Sequence, residues 1–309
     1  MHRITNCSAL LIAMSLAACG GGGGGGGTDA TSPELPSHQM PTLALTASDA
    51  AHVAARVTAS VALLDWIGRT LASDLENVTP AKPAHDSACG SGSWSIRYQD
   101  VDRDNAISVG DTISMAAPDC GVPAYAQGTA VATVLAAKEG ALADVRVDLF
   151  GGRPPPLAGW NWVPTVSGQL RLTAHESGFW LRADAGLDFD IDAQEWLRVS
   201  RIGLRLGDAP FDPPTQGVEG GFDLTLHDPV LGEGRIQLDT AGGRTTAGAP
   251  SVAPSPGYYV LRGTGNTRMT IADAGPPQRS WFRVRTDSTG TGVYDGEQII
   301  SFLDILDPL

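Results

Sequence analysis

Basic residues are few in this chain. Lys and Arg number 21 against 34 Asp and Glu, a formal net charge of −13. Such a surface repels nucleic-acid phosphates and anionic lipid headgroups and excludes both as electrostatic partners. It attracts divalent cations instead. Histidine is scarce too. After the N-terminal segment come His38, His52, His85, His175 and His227, and none has the spacing of a zinc-binding H-E-x-x-H, since His175-Glu176 lacks the second His. A G-x-S-x-G elbow and a phosphate-cradling P-loop are both missing, so the common local marks of serine hydrolases and nucleotide hydrolases are absent. Beyond the N-terminus the sequence predicts no membrane helix.

The N-terminus itself is informative. Met1-His2-Arg3 is a short basic start, and residues 4–16 are an apolar run interrupted by small polar residues. It is too short for a stable spanning helix and fits a secretory signal. It closes on Leu16-Ala17-Ala18-Cys19, which matches the lipobox of bacterial lipoproteins. The match implies a signal peptide over 1–18, cleavage before Cys19, and lipid on that residue. Several acyl chains on one residue make a stable membrane anchor where one chain alone binds marginally. Gly20 stands where an inner-membrane retention signal would carry Asp, so the lipoprotein analogy favours the outer membrane, on its periplasmic or outer face. Eight glycines, 20–27, and "TDATSPELPSHQMPT" follow. Such a stretch buries no core, so 19–41 reads as lipidated Cys plus flexible tether and 42–309 as the folded domain.

That location resolves the cysteines. Cys7 leaves with the signal and Cys19 carries lipid. Cys89 and Cys120 remain, an even pair in an oxidising compartment, and are expected to form a disulfide.

One helix is predicted over 46–76. Val53, Val57, Val61, Leu64, Ile67, Leu71 and Leu75 fall at spacings of three and four, an apolar stripe with a 3.6-residue period. Thr46 with Asp49 fits a capping box, and Asn77 and Pro80 mark the exit. After residue 88 the period changes to two, from "SWSIRY" to "SWFRVRT". About twelve short strands, punctuated by Gly, Pro, Asp and Asn, predict an antiparallel meander. The fold class is therefore mainly β: a single curled sheet or half-open barrel with one packed N-terminal amphipathic helix. Two Pro-rich connections, 151–164 and 208–217, are too long for tight hairpins.

The sharpest chemistry lies in "DVDRDNAISVGD", residues 100–111. Calcium takes six to eight hard oxygens, supplied in an EF-type loop from positions 1, 3, 5, 7, 9 and 12. In that frame Asp100, Asp102 and Asp104 hold 1, 3 and 5. The Ala106 carbonyl holds 7, Ser108 holds 9 and Asp111 holds 12. Ile107 at 8 is apolar and would anchor the loop. Asn105 replaces the turn glycine but tolerates a left-handed backbone, and Asp111 is shorter than the usual Glu. The flanks read as strands, so this is either a calcium loop in a β-hairpin or an acidic turn built from Asx-turns. A weaker copy of the pattern has Asp287, Thr289, Thr291, Gly292 and Asp295 at positions 1, 3, 5, 6 and 9, with Gln298 at 12. Only two carboxylates remain there.

Asp188, Asp190 and Asp192 alternate with apolar residues and share one strand face. Paired carboxylates serve glycoside hydrolysis, but a solvated face over a buried one explains the pattern more simply. Trp160 and Trp162 sit in a Pro-rich connection, where they either stack on a sugar or partner or pack beneath the loop.

"WSIRYQDVDRDNAISVGDTISMAAPDC", "PSPGYYVLRGTGNTRMTIAD" and "VRTDSTGTGVYDGE" together resemble a family of Gram-negative bacterial lipoproteins that has no assigned activity. The resemblance implies an envelope location and β architecture and gives no reaction. The expected function is a tethered, non-catalytic binding or structural module of the cell envelope, possible partners being protein, glycan or lipid, with calcium as its one candidate cofactor. The alternatives are a carrier of lipid or another hydrophobic ligand, and a glycan-active enzyme, which would need two carboxylates facing across a cleft.

Overall fold

A computed structural model describes residues 39–89, 92–117, 128–153, 165–175, 178–208, 216–241, 258–274 and 281–301. Among these residues one α-helix, α1 (Ala50–Glu76), precedes fourteen strands. These are β1 (Ala84–Cys89), β2 (Gly92–Gln99), β3 (Thr112–Ala117), β4 (Gly128–Lys138), β5 (Ala141–Gly152), β6 (Thr165–His175) and β7 (Gly178–Asp190). Then follow β8 (Trp196–Asp208), β9 (Gln216–Asp228), β10 (Gly232–Ala241), β11 (Tyr258–Arg262), β12 (Arg268–Asp273), β13 (Trp281–Asp287) and β14 (Gly296–Ser301). Order in the sheet follows order in the chain, and neighbours pair antiparallel throughout. The structure is the expected mainly-β meander with its single helix at the N-terminal side.

The strand inventory differs from the alternation pattern in instructive places. "GFWLRAD" and "LDFDID" read as two strands but form the single β7. A register shift between Ala183 and Leu187 accommodates the break, with Gly186 at φ 97°. A side chain at Gly186 would place its Cβ 2.6 Å from the Val199 carbonyl oxygen, so glycine is required by both conformation and space. β1, "AHDSAC", has no apolar face to announce it. It is mostly exposed and pairs residue for residue with β2, from Ala84↔Arg97 to Cys89↔Gly92.

Alternation sorts the two faces. In β13, Phe282, Val284 and Thr286 are buried while Trp281 and Arg285 are exposed. The inward residues of β2 to β14 join those of α1 in one continuous apolar core, in which Phe189, Phe222, Phe282 and Tyr259 are among the largest fully buried side chains. Each large apolar side chain so buried contributes about 1.5–3 kcal/mol. The outer face carries cross-strand ion pairs such as Arg198–Asp188 and Arg97–Asp86, exposed and of small energetic weight.

Helix α1 departs from a one-stripe amphipathic helix. Every residue from Val53 to Val61 is buried, so this half is enclosed around its whole circumference, as happens to helices in a core interior. Small residues make that possible: Ala54, Ala55, Thr58, Ala59 and Ser60 fill the turns between the valines. The hydroxyls of Thr58 and Ser60 donate back to the carbonyls of Ala54 and Arg56, at 2.7 and 2.8 Å, and need no outside partner. Further along, Gly68 brings the helix against Leu206 and Phe179, where a Cβ would lie 2.6 Å from Leu206 Cδ1. By length and hydropathy α1 could cross a membrane, contrary to the sequence expectation, but 72% of its apolar window is buried in the domain. The helix begins at Ala50, with Asp49 as N-cap lacking a side-chain cap bond. The predicted capping pair bonds within itself instead, Thr46 Oγ1 donating to Asp49 Oδ2 at 2.6 Å. The exit at Asn77 is as predicted.

Ahead of α1, the chain runs along β10 and the β11–β12 turn. Leu43 N–H donates to the Arg235 carbonyl, Thr264 N–H donates to the Leu43 carbonyl, and Leu45 is fully buried.

Candidate functional site

The β2–β3 connection is the Asp-rich loop, held in a hairpin as its flanks predicted. Asp100, at the end of β2, accepts the amides of Arg103 (2.6 Å) and Asn105 (2.9 Å). These two residues adopt positive φ, 62° and 59°, and so fold the backbone around the first carboxylate. Asp104 accepts the Ala106 amide at 2.7 Å, and Asp102 accepts the Ser108 hydroxyl at 3.1 Å. The turns bring carboxylate oxygens of Asp100, Asp102 and Asp104 within 4.8 Å of one another. Among the described residues no Lys or Arg forms an ion pair with any of them. Each carboxylate keeps lone pairs beyond those used by the amides, and three negative charges this close attract a hard divalent cation.

Asp111, the expected position-12 ligand, is not part of that cluster. It is fully buried. Its Oδ2 accepts Tyr98 Oη at 2.5 Å, Ser108 N–H at 2.9 Å and Ser108 Oγ at 3.2 Å, while its Oδ1 accepts Val101 N–H at 2.9 Å. Burial pushes the Asp111 carboxyl up, but these bonds outweigh it and hold the group below the usual carboxylate range. Burial and the facing Asp111 push the Tyr98 hydroxyl up in turn. Asp111 therefore closes the base of the loop. A cation at the tip would draw on the three aspartates, the Ala106 carbonyl, Ser108 and water. Ile107 turns inward and packs on the core, as its apolar character predicted.

The β13–β14 connection repeats the loop geometry with different chemistry. Gly290 and Gly292 take the positive φ values, 69° and 85°, at the positions of Arg103 and Asn105. Asp287, nearly fully buried, accepts Thr291 N–H (3.1 Å), Gly292 N–H (2.6 Å) and Thr289 Oγ1 (3.2 Å). Burial raises its carboxyl, and the loop amides more than reverse that. Asp295 accepts the amide and hydroxyl of Ser288, and Gln298 donates to the Ala47 carbonyl at 2.6 Å. The two carboxylates of this loop thus serve separate partners.

The three aspartates at the end of β7 lie in separate settings. Asp188 is held by Arg198 on the exposed face, Asp190 is exposed at the strand end, and Asp192 accepts the Gln194 amide in the turn. His227 stacks on Trp196, ring centroids 6.0 Å apart, and His85 Nε2 meets Ser87 Oγ. Cys19, Cys120, Trp160 and Trp162 lie outside the described residues, as do the signal and most of the tether.

A buried charge cluster carries no local sequence motif. Arg56, on the enclosed half of α1, donates Nε–H to Asp228 Oδ2 at 2.7 Å and also pairs with Glu195. Asp228 further accepts the amides of Val230 and Leu231 and thereby shapes the β9–β10 turn. One signal was available: Arg56 is the only formally charged residue between Ala50 and Leu64, and a cation so placed needs a buried counter-charge.

Two apolar depressions flank the second half of α1. The larger, about 300 Å³, lies between Leu75, Val78, Ile107, Leu142, Leu172 and Phe179. The smaller, about 60 Å³, lies on the other side of the helix, beside Trp66 and Trp94. No known protein family, curated protein or solved structure matches the chain.

Proposed function

We propose that this chain is a lipoprotein anchored through Cys19 to the outer membrane, and that its domain is a non-catalytic binding or structural module of the cell envelope stiffened by calcium. The observation that carries the calcium part is the convergence of Asp100, Asp102 and Asp104 within 4.8 Å in one loop. Calcium neutralises three clustered charges and ties the loop tip together, while Asp111 secures its base. The filled interior of the sheet supports a scaffold role: α1 occupies the inner face as part of one core. The lipobox residues support the anchor. A Cys89–Cys120 bridge belongs to the same reading. Cys89 pairs with Gly92 and Ala116 with Ser95, so Cys89 and the last described residue of β3 leave the sheet at the same end. Calorimetric titration of residues 35–309, the unit that holds the core, tests the site. One calcium bound in the wild type and none in Asp102→Ala/Asp104→Ala is the expected result. Equal heats from the two proteins would overturn it.

The groove of about 300 Å³ favours a second reading, a carrier of acyl chains or similar apolar ligands. Solvent extraction of the purified protein separates the readings: a stoichiometric co-purified lipid supports the carrier.

A further inference from the structure

We propose that the slot between α1 and β4–β6 is a binding site for a small organic ammonium ion, with Asp74 as its counter-charge. The slot is walled by Trp66 and Leu71 of the helix and by Trp94, Leu149 and Val166 of the sheet. Its volume is about 60 Å³. One water needs roughly 10–15 Å³ by that measure, so several non-hydrogen atoms fit. Among the described residues Asp74 is the only charged side chain that lines it. Asp74 is half-buried, and among the described residues it has no side-chain hydrogen-bond donor and no ion pair. Burial accordingly pushes its carboxyl up to about 7.

A carboxylate left without a partner beside apolar walls is costly, and most such groups in proteins are paired. Here the missing partner has a definable chemistry. A metal ion is a poor fit, because one carboxylate supplies too few oxygens and the walls supply none. An ammonium head fits all three features. The carboxylate offers the charge, the half-buried indoles of Trp66 and Trp94 line the slot with rings of the kind that attract a cation, and the aliphatic walls accept a short hydrocarbon body.

The test is an amide-resolved NMR titration of residues 35–309 with butylammonium chloride, with butanol as the uncharged control. At about pH 8 the carboxylate is mainly ionised and the amine remains protonated. The expected result is saturable shifts at Trp66, Asp74 and Trp94, with binding weakened about tenfold or more for butanol and for Asp74→Asn. Asp74→Asn preserves the shape of the side chain, and its own spectrum reports whether it is folded. Equal binding of butanol and butylammonium to the wild type would reduce the slot to an apolar dent and overturn the proposal. So would undiminished affinity in Asp74→Asn, or an absence of shifts at these residues.

Discussion

Replacing Arg56 with methionine keeps most of the side-chain volume and removes the charge. Arg56 is 7% exposed and Asp228 1%, so the substitution strands a buried carboxylate inside the domain. Breaking a buried pair by removing one partner costs about 3–5 kcal/mol. For a domain of this size that lowers the melting temperature by roughly 10 °C. The pH dependence identifies the cause. In the wild type, burial raises the Asp228 carboxyl, but the Leu231 and Val230 amides and Arg56 together hold it below its ordinary value. Its contribution is thus present above the unfolded carboxylate range and lost as pH falls through the lower folded value. Without Arg56, burial dominates and the folded value rises. The penalty is then fully present at neutral pH and shrinks as acid protonates Asp228. Urea unfolding followed by circular dichroism at about pH 8 and about pH 5 measures both terms. Adding Asp228→Asn and Glu195→Gln to Arg56→Met should recover a large part of the loss, since no stranded charge remains. A cost below about 1 kcal/mol, or a cost equal at both pH values, would refute the reasoning.

Asp74→Asn should do the opposite. The folded Asp74 carboxyl lies near 7 against an unfolded value of 3.8, so stability is lost as pH rises between the two. The variant should melt higher than the wild type at about pH 8, by about 1–2 kcal/mol after discounting for solvent screening, and equally at about pH 3. Asp111→Asn turns an amide donor toward the donors of Tyr98, Val101 and Ser108. It should cost about 1–3 kcal/mol at neutral pH, and the difference from the wild type should narrow in acid, where Asp111 itself becomes protonated. Gly68→Ala drives a Cβ into Leu206 and Phe179 and should cost about 1–3 kcal/mol by thermal melting.

Strand alternation made the fold class legible, because a sheet with one buried face writes its period into the chain. The pattern failed where burial did not alternate. β1 has no inward apolar row, and β7 switches phase at the Gly186 bulge without ending. Helix α1 was legible as a helix but not as an enclosed one. Ala, Ser and Thr at 54, 55, 58, 59 and 60 have mild hydropathy, and only their burial in the core shows that their small size is what matters. The Asp-rich loop was legible because its residues are contiguous and turn chemistry is local. Spacing put Asp111 at position 12 of the loop but could not show that its carboxylate turns inward to Tyr98, Val101 and Ser108. The Arg56–Asp228 contact joins residues 172 positions apart, which no local pattern encodes.

The proposal that calcium stiffens the loop is tested most directly by thermal melts of residues 35–309 in EDTA and in calcium, alongside Asp102→Ala/Asp104→Ala. Calcium at a hundred times its dissociation constant stabilises by about 2.7 kcal/mol. For a domain of this size that corresponds to a rise of roughly 5–10 °C. The account predicts that rise in the wild type and none in the variant. A wild-type melt that calcium leaves unmoved, or an equal rise in both proteins, would contradict it and leave "DVDRDNAISVGD" as an acidic turn.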